Sequence, residues 1–173
     1  VTIWASGEKL TAAKLNSFMH ITVEKTTQTG RSSTTTTAVD PDLVLPLLTD
    51  YTYDFRFQLY LSSATNAAGD WKGNLAFPSG ALCTYSGHSV ADTLASSYTD
   101  NLTAGPTSRR DTTSPGLDLT YGCSTSGTLA VITGRITMGS TAGDLSLYWA
   151  QSSSNANETR VLEGSAATAW RVY

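Results

Sequence analysis

Few residues in this chain have the types and spacing that chemistry requires. Residues 86–90 read Ser-Gly-His-Ser-Val, close to the Gly-x-Ser-x-Gly turn that exposes a nucleophilic serine between a strand and a helix. Ser89 would be that nucleophile. Ala91 stands where the last glycine belongs, and His88 adjoins Ser89, so on a strand the two side chains point to opposite faces. His20, the other histidine, precedes the serine instead of following an acid. A serine hydrolase is not expected.

Metal chemistry finds little more. Neither histidine has a cysteine or carboxylate at ligand spacing, and Cys83 and Cys123 form no C-x-x-C pair. Both cysteines read as reduced core residues, with a single bridge as the alternative. Asp40-Pro41-Asp42 could hold calcium in a lectin-like loop, although Asp and Pro together first signal a turn. The acid that can be placed on a sheet is Asp54, and Arg56, two positions on, is its expected partner. Trp71, Trp149 and Trp170 could stack on sugar rings, but each falls in phase with apolar neighbours, which favours core packing. Asn101 and Asn157 open glycosylation sequons, which matter only in a secretory pathway. No catalytic set, no metal and no cofactor is expected.

Composition narrows the classes further. The 173 residues are 40% hydrophobic and 14% charged, with a net charge of −3 and a pI near 5.2. Ser and Thr make up roughly a quarter of the chain, so hydroxyls must cover much of its surface. Nothing here attracts nucleic acid or an anionic membrane. No stretch nears the roughly 20 apolar residues that span a bilayer, and the first residues lack the pattern of a signal peptide.

The elements that would position any site are strands. "YTYDFRFQLYL" places Tyr51, Tyr53, Phe55, Phe57, Leu59 and Leu61 on one face, with Thr52, Asp54, Arg56 and Gln58 on the other. Pro41 and Pro46 confine "DPDLVLPLLTD" to an edge or a strand end. Strands are expected in "WKGNLAF", "ALCTYS", "LDLTYGC", "TLAVITGRITM", "LSLYWAQ", "RVLEG" and "AWRVY". "NAAGD" and "GSTAGD" both precede strands and read as two hairpins sharing one turn chemistry. From Gly105 to Gly116, Pro, Gly and Ser surround Arg109 and Arg110 and predict an exposed loop. The sum is an all-β, antiparallel β-sandwich, jelly-roll-like.

The opening residues follow another rule. Thr11 suits an N-cap, Leu10 and Leu15 form a hydrophobic staple, and a helix is predicted from about Ala12 to Met19. Its apolar stripe needs a partner, either its own sandwich or another chain. The Thr-rich run after His20 suits an exposed strand or an extended arm. Residues 1–30 thus read as a docking helix and arm, and 31–173 as the sandwich.

The stretch "WASGEKLTAAKLN", Trp4 to Asn16, resembles the N-terminal segment of small tail-associated structural proteins of tailed bacteriophages, particularly those of actinobacteria. "KTTQTGRSSTTTTAVDPDLVLPL", "YTYDFRFQLYL", "AGDWKGNLAFPSGA" and "AGDLSLYWAQ" are similar to segments of their β-rich domains, in the same order. The resemblance implies a non-enzymatic minor tail or tail-tip protein, exposed on the virion after assembly in the bacterial cytoplasm and commonly trimeric. Its docking residues would be Trp4, Leu10, Leu15, Phe18 and Met19, and its partners other virion proteins. Alternatives are a capsid decoration protein or spike, and a carbohydrate-binding module for a host cell-surface glycan. The missing Gly-X-Y repeats and heptads point to a compact knob rather than a shaft.

Overall fold

The period-two alternation centred on Phe55 and Phe57 produces the spine of the fold. In the computed structural model, which describes residues 9, 11, 20–64, 70–89, 107–111 (backbone only) and 118–172, that segment is β4 (Thr52–Ser63). Tyr53, Phe55, Phe57, Leu59 and Leu61 are all buried along one face of β4. The expected helix and the docking residues Trp4, Leu10, Leu15, Phe18 and Met19 lie outside the described residues.

The other described strands are β1 (Ile21–Glu24), β2 (Thr29–Arg31), β3 (Ala38–Leu47), β5 (Trp71–Ala76), β6 (Leu82–His88) and β7 (Thr107–Asp111). They continue with β8 (Leu119–Tyr121), β9 (Thr128–Thr137), β10 (Gly143–Gln151), β11 (Thr159–Val161) and β12 (Ala166–Arg171). One sheet runs β1-β12-β4-β9-β6-β7, with β11 continuing the β12 edge of β4 and β2 pairing β11. The second runs β3-β10-β5-β8. Every pairing is antiparallel.

The chain alternates between the sheets. With β1 and β2 taken as one strand, β11 and β12 as another, and β6 and β7 set aside, the orders β1-β12-β4-β9 and β3-β10-β5-β8 are the two interleaved Greek keys of a jelly roll. The antiparallel pair β6 and β7 extends the first sheet past β9. Leu43, Leu45 and Leu47 of β3, Leu145, Leu147 and Trp149 of β10, and Ala130, Ile132 and Ile136 of β9 fill the space between the sheets with the β4 side chains. At about 25 cal/mol per Å² of apolar surface, this layer is the main source of stability.

Three expectations change here. The arm after His20 is part of the sandwich, because Ile21 and Val23 bring β1 into register with Ala169 and Ala167 of β12, and β2 pairs β11. A boundary after residue 30 therefore cuts through the first sheet. Arg109 and Arg110 lie in a strand rather than a loop, pairing with Tyr85 and Thr84. The Pro and Gly signals flank β7, while its extended backbone satisfies the N–H and C=O groups that β6 would otherwise leave open. Both Ala-Gly-Asp segments precede changes of sheet, from β4 to β5 and from β9 to β10, and are not hairpins within one sheet. β3 is an edge strand, as Pro41 and Pro46 require.

Candidate functional site

Most of the residues singled out by type prove to be structural. Ser89 Oγ donates to the Leu129 carbonyl at 3.1 Å, and Gly87 and His88 belong to β6, not to a strand-to-helix turn. Cys83 and Cys123 are free and buried, and burial pushes the Cys123 thiol up to about 12. Trp71 and Trp149 are fully buried, with Trp71 stacked on Tyr121 at 5.4 Å between ring centroids.

Two placements correct the sequence reading. Trp170 is half-buried on the outer face of β12, beside the His20 ring at 6.0 Å. The small Ala167 and Ala169 occupy the inward phase that Trp170 was expected to share. Asp54 pairs with Arg135, directly opposite on β9, through Nε–Oδ1 at 2.6 Å and Nη2–Oδ2 at 2.8 Å. The cross-strand position is nearer than Arg56, two residues along the same strand.

The most unusual polar arrangement among the described residues joins the Asp40-Pro41-Asp42 segment to Lys25, a residue that the sequence reading passes over. Lys25 follows Ile21 and Val23 in the inward phase of β1, and its backbone is fixed by Lys25 N–H to the Ser165 carbonyl at 2.8 Å and Gly164 N–H to the Lys25 carbonyl at 2.9 Å. Its side chain is 0% exposed and crosses between the sheets toward β3. All three ammonium protons are used, on Thr29 Oγ1 at 2.8 Å, Asp40 Oδ1 at 2.9 Å and Asp42 Oδ2 at 2.8 Å.

The Asp-Pro-Asp segment forms the other half. Between Ser146↔Val44 and Tyr148↔Val39, β10 advances two positions while β3 advances five. This bulge turns Asp40 inward, where it too is 0% exposed. Asp40 Oδ1 also accepts the backbone N–H groups of Asp42 at 3.1 Å and Leu43 at 3.3 Å, and Oδ2 accepts Trp149 Nε1–H at 3.0 Å. Asp42 stays 32% exposed. The Lys25 ammonium therefore occupies the place between the two carboxylates that the calcium reading would have given to a metal ion.

Arg31 closes the cluster on the β10 side. Its guanidinium lies 4.4 Å over the Trp149 ring and donates to the Val39 carbonyl at 2.9 Å and to the Trp149 carbonyl. Burial lowers the Arg31 pKa, and the nearby Asp40 carboxylate opposes that shift. The sequence did carry a signal for this cluster: a lysine in apolar phase two residues past Val23, and an aspartate before a proline on an edge strand.

No protein-family model and no curated protein matches the chain. Among solved structures, an infectious bursal disease virus Gt strain structure is similar at 11% identity and TM-score 0.23, covering 90% of this chain and 38% of that one. The infectious bursal disease virus VP2 subviral particle is similar at 9% identity and TM-score 0.22, covering 89% and 41%. The Gx strain of that virus gives 7% identity and TM-score 0.21, covering 88% and 39%. This chain thus spans about two fifths of the length of the structures it matches. Likenesses at that level carry no argument about function, and the jelly roll rests on the strand order itself.

Proposed function

We propose that the chain is a non-enzymatic structural protein of a bacteriophage virion, a minor tail or tail-tip knob anchored through its N-terminal residues. The observation that carries this reading is the jelly-roll strand order, an architecture that viral capsid domains use. Because one fold hosts many functions, the reading also leans on the resemblance of Trp4 to Asn16 to phage tail proteins. Trp4, Leu10, Leu15, Phe18 and Met19 are the docking residues in this proposal, and the sandwich from β1 onward is the exposed body. Several copies assemble on one particle, as a trimer.

Gold-labelled antibody against the chain, applied to purified particles, tests this directly. Label at the tail end supports the proposal. Label confined to the capsid faces would replace it with the decoration reading, and particles free of the chain by mass spectrometry would remove both. Light scattering of the purified protein tests the trimer. A glycan-binding role is the second reading, favoured by the outward Trp170 beside His20. Glycan-array binding that Trp170→Ala abolishes would support it.

A further inference from the structure

We propose that Lys25 and Asp40 are joined by an amide bond, formed within the folded chain between Lys25 Nζ and Asp40 Cγ. The inference does not depend on the virion reading. It rests on the geometry of the cluster, in which an amine and a carboxyl group are held together out of water beside a second carboxyl group and a set of hydrogen-bond donors.

The nucleophile is in position. Nζ lies 2.9 Å from Asp40 Oδ1, one C–O bond from the carbon it must attack, and both side chains are 0% exposed. Holding reactants this way gives effective molarities of about 10⁵–10⁸ M, above the concentration of the bulk water that would reverse the reaction. The acceptor is also prepared. The backbone N–H groups of Asp42 and Leu43 both point at Oδ1, forming a two-donor pocket for the negative charge that develops on it when Cγ becomes tetrahedral. Trp149 Nε1–H holds Oδ2 and fixes the carboxyl plane.

Asp42 is the acid-base group. Its Oδ2 lies 2.8 Å from Nζ, within the range for direct proton transfer. It takes one proton from the ammonium, freeing the nitrogen lone pair, and passes that proton to Asp40 Oδ2. Nζ then bonds to Cγ, and Asp42 moves a second proton from the nitrogen to the same oxygen. The Cγ–Oδ2 bond breaks and one water leaves. The ammonium and carboxylate charges cancel, one hydrogen remains on the amide nitrogen, and no oxidant or reductant is needed. Asp40 is the acyl partner rather than Asp42 because it is fully buried and its Oδ1 holds the two backbone donors, whereas Asp42 is 32% exposed.

The bond would tie the chain just after β1 to β3, linking the two sheets covalently. Intact-mass measurement of the purified, denatured protein tests it. The expected mass is lighter than the sequence mass by one water, and trypsin should release one branched peptide in which Leu15–Arg31 is joined to Ser32–Arg56 and Lys25 is uncut. Lys25→Arg should restore the full sequence mass. Asp42→Ala, which changes a partly exposed side chain and whose folding circular dichroism can verify, should leave Lys25 and Asp40 unjoined. A wild-type protein at full sequence mass overturns the proposal, as does a water loss that persists in Lys25→Arg or maps to another residue, Asp42 included. Joining at the wild-type rate in Asp42→Ala overturns the acid-base role.

Discussion

Asp40 accepts four hydrogen bonds, and its removal separates the cost of an unpaired buried charge from the cost of losing a cluster. In Asp40→Ala, the Lys25 ammonium keeps Thr29 and Asp42 but loses its fully buried partner. In Lys25→Met/Asp40→Leu, both charges are replaced by apolar side chains. The N–H groups of Asp42, Leu43 and Trp149 lose their acceptor in both variants, so that penalty cancels, and neither variant can form the amide. Breaking a buried pair costs about 3–5 kcal/mol, while replacing it whole is often neutral. Because the partly exposed Asp42 still faces the ammonium, the difference should fall at the low end, about 2–3 kcal/mol in favour of the double variant. For a domain of this size that corresponds to roughly 5–10 °C in Tm. Urea titration and thermal melts followed by circular dichroism measure it. Equal stabilities, or a less stable double variant, would refute the premise that a Lys25 ammonium left without Asp40 is a costly buried charge.

Other outcomes follow from specific contacts. A Cβ at Gly87 would run into the Tyr121 hydroxyl and crowd Leu119 Cδ1 at 2.9 Å, so Gly87→Ala should cost about 1–3 kcal/mol, measured by urea titration and partly recovered by adding Tyr121→Phe. Tyr121→Phe alone should be neutral or stabilising, because that buried hydroxyl has no hydrogen-bond partner. Burial raises the Cys123 thiol to about 12, against about 8.5 for a free thiol. The unfolded chain therefore releases this proton first, and the Cys123 contribution to stability should fall as pH rises from about 8.5 to 12; the decline should be shallower in Cys123→Ala. If the N-terminal residues dock on another virion protein as proposed, thermal melts should show deletion of residues 1–19 sparing the melting temperature, whereas deleting 1–31 removes β1, β2 and Lys25 and should lower it sharply.

The sheet faces were legible wherever the alternation was long. The face of β4 could be read from its aromatic residues, and Pro41 and Pro46 announced an edge. Trp170 was misassigned because a short strand of small residues, Ala166 to Ala169, gives hydropathy little to distinguish its two faces. β7 was hidden for the opposite reason: its residues are polar, and what makes it a strand is the open edge of β6, a tertiary fact. The Lys25 cluster required knowing that β1 and β3 face each other across the sandwich, because nothing in the sequence says that the in-phase lysine and the Asp-Pro-Asp segment meet. The shared Ala-Gly-Asp segments did carry architectural information. They precede β5 and β10, which are neighbours, and follow β4 and β9, which are neighbours in the other sheet.

The pairing of β1 with β12 sets the order in which this molecule can be made. On a ribosome, β1 emerges first and its partner last among the described strands, so the edge of the first sheet cannot close until the rest of the sandwich has been made. Closing such a long loop carries an entropic cost before any contact repays it, and topologies of this kind fold slowly. In the interval the backbone N–H and C=O groups of β1 have no strand to pair with, and β4 and β9 must find each other without that flank. Nascent chains are therefore most exposed to aggregation just before β12 appears. A synthesis pause placed there should lower the soluble yield more than one placed after it.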